Sequence, residues 1–479
     1  MVQVHALFGL AASFVALTSA LPNVAQPAAD GQVLQARRPN PTPSQPFAVK
    51  RQQGRQTTGA FSAFSGSLPA SLSSVIATIT SGTDASVSEV PPKTTYTGGA
   101  QNPSISNAPP LPSQSAIVVS NFPALDKSPD PNLPLSQEFI KKYDLSSVPN
   151  IPITDGTCSG QFGANAAANR YWTCGGHTAP SDITACPDKN HWGLSYDDGP
   201  SPYTPQLLDY LESQNLKTTF FIVGSRALSR QDLLRYEYMN GHQLSVHTWS
   251  HPALTTQTNQ QILLELAWTM EVIRQVTGVT PVTMRPPYGD IDDRVRAICK
   301  ILGLTPIMWT STSDTMTYDT NDWRIGAGQV SAASVVGNFT QILNNSATLN
   351  TGYIVLEHDL YKQSVELATE VVLPMALAHS PKQTLEPIYQ CLGLQLGDSY
   401  VETNRNVSGS GGVASPGDTN PTSNSSSSGS SSGNKAGNFG SSGSGGGSSG
   451  ASSILSAQNM PLAISATLGL GAFFAFFAL

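Results

Sequence analysis

Four short stretches carry the residue types that hydrolytic chemistry needs. Ser195-Tyr196-Asp197-Asp198-Gly199-Pro200 sets two carboxylates side by side and follows them with the two strongest chain-breaking residues. His247-Thr248-Trp249-Ser250-His251 holds two imidazoles four residues apart, Arg285-Pro286-Pro287-Tyr288-Gly289 adds a guanidinium, and Leu356-Glu357-His358 adds a third imidazole. Each alone has an ordinary explanation: two unrelated histidines, an arginine before a turn, a hydrogen-bonded structural histidine. Together they form a set. Two histidines at this spacing reach one ion, and a single carboxylate completes three protein ligands with a position left for water, as in catalytic zinc sites. An ion bound to one Asp explains how its neighbour stays charged beside it. A nearby Arg would keep that neighbour an acceptor for a water proton, and an opposing His could protonate a leaving group.

The elements that must position these groups are legible around them. Strand-like apolar runs occupy 193–196, 218–223, 243–247, 281–284, 305–309 and 353–357. Amphipathic helical patterns separate them, among them 204–214 and the long segment 259–277, which Gly278 terminates. Strand, helix, strand repeated in this way predicts a parallel sheet, open or closed into a barrel. Active groups in such folds gather at the C-terminal ends of the strands, and the four stretches stand at those ends.

The rest of the 479-residue chain frames one domain of ordinary size over 155–400. Residues 1–20 are a short apolar run ending in small residues, the pattern of a secretion signal. Residues 21–150, rich in Pro, Ser, Thr and Ala, are expected to be mostly disordered, as a pro-segment with Lys50-Arg51 as a processing site. Residues 405–459 are a Ser/Gly-rich linker, and 460–479 are apolar and uncharged. Small residues at 447–452 followed by that tail fit a glycosylphosphatidylinositol (GPI) attachment signal; a tail-type transmembrane helix is the alternative. The formal net charge of −7, with no basic stripe, argues against a nucleic-acid partner. The five cysteines, in a secreted chain, suggest two disulfides and one odd thiol. Cys299 lies in an apolar helical pattern and is the candidate free thiol. Cys186–Cys391 could tie the domain's ends, leaving Cys158–Cys174, although spacing alone does not determine the connectivity. Asn338, Asn344, Asn406 and Asn424 each begin a glycosylation sequon.

Over 186–391 the motifs resemble those of the polysaccharide deacetylases (carbohydrate esterase family 4, the NodB homology domain), and fungal chitin deacetylases in particular. The SYDDGP, HTWSH, RPPYG and LEH stretches match four of five ordered family motifs, with Ser-Tyr standing where Thr-Phe is common. The resemblance implies a distorted (β/α) barrel, an α/β fold with fewer strand–helix units than the eightfold type. It implies Asp197 as the base, and Asp198, His247 and His251 as ligands of one divalent metal ion, usually zinc, with cobalt as another that serves. Arg285 would orient Asp197, and the backbone amide of Tyr288 would stabilise the tetrahedral oxyanion. His358 would be the acid, and Tyr288, Leu356 and Trp323 would line the substrate site. The remaining motif departs from the family pattern. Asp314, Asp319 and Asp322 are all available near Trp323, so which one orients His358 is left open. The resemblance further implies removal of N-acetyl groups from chitin to give chitosan and acetate, by a monomer anchored through a GPI lipid to the membrane or cell wall. Another acetylated polysaccharide, such as xylan or peptidoglycan, is the alternative substrate. A non-catalytic carbohydrate-binding wall protein is the alternative class, and its groove would need neither a base nor an acid.

Overall fold

The alternation read from the sequence is realised as parallel strands wrapped by helices. The computed structural model describes residues 70–82, 88–313 and 316–405. The strands are β1 (His191–Gly193), β2 (Ser195–Asp197), β3 (Thr219–Ile222), β4 (Gln243–Val246), β5 (Thr283–Met284), β6 (Thr305–Pro306), β7 (Ser311–Ser313), β8 (Met316–Thr317), β9 (Tyr353–Ile354) and β10 (Thr384–Glu386). One parallel sheet runs β2-β3-β4-β5-β6 and a second runs β10-β1-β9. The expected strand 193–196 divides at Leu194, whose N–H donates to Glu386 O while its carbonyl accepts from Thr219 N. That one residue carries the chain from one sheet to the other. Thr310 N–H donates to Ile354 O, and Asp197 N–H donates to Glu357 O. These bonds join both edges of the larger sheet to the β9 segment, so the ring closes with interrupted pairing: a distorted barrel.

Helix ends follow local chemistry. The helix Asn259–Thr277 starts at a capping box between Thr258 and Gln261 and stops where Gly278 turns left-handed at φ 85°. Its face of Ile262, Leu263, Leu266 and Ile273 is fully buried, each side chain contributing about 1.5–3 kcal/mol relative to exposure. The cysteines pair as Cys158–Cys174 and Cys186–Cys391, and Cys299 is free and buried.

Two expectations are corrected. The ordered domain begins well before residue 155, because the described part of 21–150 packs on the barrel. Ile105, Ala108, Leu111, Phe122 and Phe139 enter the main hydrophobic core. Polar contacts tie the segment to the domain: Arg235 donates to Tyr96 O and Pro112 O, the Asn102 side chain of the segment donates to Tyr238 O, and Glu89 pairs with Arg230. A Pro-rich stretch has no helical or strand period to reveal it. Isolated apolar side chains fit grooves whose walls lie far along the chain. The signal region 1–20, Lys50-Arg51, the attachment region, the tail 460–479, Asn406 and Asn424 lie outside the described residues.

Asn338 is also no glycan acceptor in the folded chain. It is buried, and its Nδ2 donates to Thr320 O at 3.1 Å inside the helix Ala332–Ser346. Asn344, on the same helix, is exposed. In material made through a secretory pathway, Asn344→Gln is expected to remove one N-glycan and Asn338→Gln none. Intact masses before and after glycosidase treatment check this, and a glycan lost with Asn338 would overturn it.

Candidate active site

The chemistry-bearing residues sit where the parallel strands end. Asp197 closes β2, Asp198 follows it, His247 follows β4, Arg285 follows β5, and His358 lies beyond β9. Parallel pairing puts all these ends on one side of the ring, which is why stretches 160 residues apart in sequence can meet; Asp197 and His358 form a bridge in register.

Asp198, His247 and His251 present ligand atoms within 4.8 Å of one another. The Nε2 atoms of His251 and His247 lie 3.0 and 3.4 Å from Asp198 Oδ1. His247 Nδ1 is 2.7 Å from the carbonyl of Arg285; a carbonyl only accepts, so Nδ1 carries the proton and Nε2 presents a lone pair. Buried Asp198 Oδ1 correspondingly lacks a hydrogen-bond donor. Lone pairs and an anionic oxygen converging in a buried space repel unless a cation lies between them. Two imidazoles and one carboxylate suit zinc and leave a coordination position open. The residues fit the ion.

Arg226 and Glu265, absent from the sequence expectations, and the side chain of Tyr288, expected only for its backbone amide and as substrate lining, hold this triad in place. Tyr288 contributes its hydroxyl, 3.0 Å from His251 Nδ1 and 3.3 Å from His251 O. Arg226 donates to Asp198 O at 2.7 Å, and its Nη1 lies 3.8 Å from the carboxylate. Glu265 accepts from Trp249 N at 2.9 Å, Ser250 N at 2.8 Å and Ser250 Oγ at 2.7 Å. Burial pushes Glu265 up to about 7, opposed by its hydrogen bonds from Ser250, Ser128 and Trp249. Both had a signal. An acid inside Ile262-Leu263-Leu264-Glu265-Leu266 and an Arg before Ala227-Leu228 interrupt buried faces, and a buried charge requires a partner.

Asp197 takes a different environment from its neighbour. Arg285 Nη1 donates to Asp197 Oδ1 at 2.6 Å and to Ser195 Oγ at 3.1 Å. The guanidinium is fully buried and lies 3.9 Å from the Phe221 ring centroid. Its surroundings thus fix the Arg, and the Arg fixes the carboxylate. The adjacent like charges have separate counter-groups.

The open question beside His358 is resolved by Asp322. Its Oδ1 is 2.7 Å from His358 Nδ1, and its Oδ2 accepts from His358 N at 2.9 Å. Burial alone would lower the imidazole; Asp322 outweighs it, helped by Asp198 and Asp197, and His358 is raised to about 10. Asp319 instead accepts from Asn321 N, and Asp314 lies outside the described residues. The displaced motif has a structural cause: the antiparallel hairpin of β7 and β8 is inserted before it.

Leu356 and Trp323 are buried, at 3% and 7% exposure. For Trp323 this corrects the expected sugar-stacking role. Stacking needs an open ring face, and Trp323 is enclosed, with the Arg324 guanidinium 5.4 Å from its ring centroid. Strained backbone also gathers here: Asp198, Thr248, His251 and Tyr288 have φ between 61° and 84°, a region that non-glycine residues occupy rarely and mostly where the surroundings enforce it. Gly289 is required by close approach, since a Cβ there would lie 2.2 Å from Trp172.

The chain is similar to known proteins in sequence. The family described as "Polysaccharide deacetylase" matches residues 184–307. Chitin deacetylase 1 of Cryptococcus neoformans is 54% identical over 316 residues, covering 65% of this chain and 67% of that protein. The chitin deacetylase of Amylomyces rouxii is 37% identical over 251 residues, covering 49% of this chain and 58% of that protein. Among solved structures, the chitin deacetylase of Colletotrichum lindemuthianum is 28% identical with a TM-score of 0.41, covering 46% of this chain and 94% of that one.

Proposed function

The chain belongs to the polysaccharide deacetylase family, carbohydrate esterase family 4, and from that premise we propose that it hydrolyses the N-acetyl groups of chitin at the fungal cell wall, giving chitosan and acetate. The observation that carries the reading is the pairing of a base with an acid across one site. Asp197, held by Arg285, stands in register with His358, held by Asp322. Binding a polymer needs neither group, which separates this site from a sugar-binding groove.

The reaction adds water across the amide. Asp197 accepts a proton from the attacking water as oxygen bonds to the acetyl carbon. The backbone amide of Tyr288 donates to the oxyanion that develops on the acetyl oxygen. His358, protonated through its pairing with Asp322, gives its proton to the nitrogen as the C–N bond breaks, releasing acetate and leaving the amine on the sugar. Leu356 offers an apolar wall to the acetyl methyl. Asp198, His247 and His251 would hold a divalent ion, zinc in the first instance, which would supply Lewis-acid polarisation and lower the pKa of water at the site.

Support for chitin comes from the names of the relatives, and support for the wall location from the secretion and attachment patterns at the two ends of the sequence. Purified protein is expected to release acetate from N-acetylglucosamine oligomers, to lose that activity with a chelator and to regain it with zinc. Zinc-replete protein that releases acetate from peptidoglycan or acetylated xylan but not from chitin oligomers would reassign the substrate. Activity unaffected by exhaustive chelation would sink the metal role.

A further inference from the structure

The loop that carries both histidine ligands is gripped by a part of the chain that lies upstream of the family-matched region 184–307. Residues 122–128 form a stretch of bends and turns, and they touch three elements, each of which holds the metal triad. Ala124 O accepts from the indole Nε1 of Trp249 at 3.0 Å, and Trp249 lies between His247 and His251. Phe122 stacks on the same indole, with centroids 6.2 Å apart and planes 8° apart. The Ser128 hydroxyl is close enough to Glu265 to lower its carboxyl, and that carboxylate receives the amides of Trp249 and Ser250. Asp126 Oδ1 accepts from Ser225 Oγ at 3.1 Å, in the helix Gly224–Ser229 whose Arg226 holds the backbone of Asp198.

We propose that residues 122–128 are a positioning element of the metal centre, so that loosening them weakens divalent-metal binding with every ligand still present. The proposal rests on reading Asp198, His247 and His251 as a metal site. Its physical basis is backbone strain. Thr248 and His251 sit at φ 67° and 62°, and a β-branched residue persists there only where its surroundings over-determine it. The clamp is built from outside the loop: Glu265 from one side, the indole's carbonyl acceptor and Phe122 from the other. With the clamp loosened, the loop spends part of its time with its imidazoles apart. Apparent affinity then falls in proportion to the fraction of chains still competent to bind.

The test uses the full chain carrying Phe122→Leu, Asp126→Ala and Ser128→Ala together. Zinc affinity is measured by competition with a chromophoric chelator, and the Tm of the metal-free protein is measured in parallel. Glu89→Gln, which removes the Arg230 anchor of the same Pro-rich region outside residues 122–128, is the control for stability. The triple variant is expected to bind zinc about tenfold or more weakly, while Glu89→Gln binds it as the unmodified chain does. Unchanged zinc affinity in the triple variant overturns the proposal, and so does an equal loss in both variants that tracks Tm. If the triple variant does not fold, Trp249→Phe, which removes the indole donor to Ala124 and keeps an aromatic ring beside Phe122, is measured the same way with its metal-free Tm: zinc binding weakened beyond the change in Tm supports the clamp and unchanged binding overturns it. An unmodified chain that takes up no zinc, or an Asp198→Ala chain that binds zinc equally well, overturns the metal reading itself and the clamp with it.

Discussion

Asp197→Asn is expected to lower acetate release from chitin oligomers by about a thousandfold, within the range that general-base catalysis contributes. The substitution keeps the shape of the side chain and removes its capacity to take a proton from water. Because Asp198, His247 and His251 are untouched, zinc content and polymer binding should remain close to those of the unmodified protein. Stability is expected to fall as well. The Arg285 guanidinium is fully buried and would lose its counter-charge, a change that destabilises by about 3–5 kcal/mol when a buried partner is removed outright. The amide oxygen still accepts one hydrogen bond, so the loss should lie toward the lower end of that range. Assays should therefore be run well below the variant's Tm. Equal activity in a folded, zinc-replete variant would refute the assignment of Asp197 as the base.

Asp322→Asn tests the acid by a different readout. Asp322 holds His358 in its protonated form, raised to about 10. Without that charge, burial dominates and the imidazole is neutral at lower pH. The basic limb of the kcat/KM profile is expected to move to lower pH, with about a hundredfold loss of rate near neutrality. A divalent cation in the same site opposes the rise in His358, so the limb of the loaded enzyme lies below the value set by Asp322 alone. The stability effect has a definite sign. A histidine raised above its unfolded value of about 6.5 stabilises the fold in full below that pH, and the contribution is lost as pH rises through about 10. The gap in Tm between unmodified protein and Asp322→Asn should therefore be widest near pH 6 and narrow toward pH 10. A uniform loss of rate with an unmoved basic limb would mean that Asp322 serves only to support the fold.

Both predictions concern groups whose types and order are plain in the sequence. The carboxylate pair, the two histidines, the guanidinium and the last histidine each follow an apolar run, and parallel strands must bring such ends together. The choice of Asp322 over Asp319 was not legible. The hairpin of β7 and β8 displaces the motif, and only the path of the chain shows which carboxylate returns to His358. Asn338 makes the complementary case: a sequon is local, whereas accessibility depends on which face of the helix Ala332–Ser346 meets the barrel.

The sequence by itself determined the parallel α/β order, the catalytic residue types, their placement at strand ends and the long helix 259–277 with both its boundaries. These are properties of near neighbours: period, capping, chain-breaking residues and the charge tolerance of one site. Tertiary structure alone decided how each charge is partnered, the enclosure of Trp323, and the incorporation of the Pro-rich segment whose residues 122–128 reach the histidine loop. Those outcomes depend on contacts between residues distant in sequence. Their free energy comes from burying a side chain or satisfying a carbonyl against a surface that exists only once the barrel has closed.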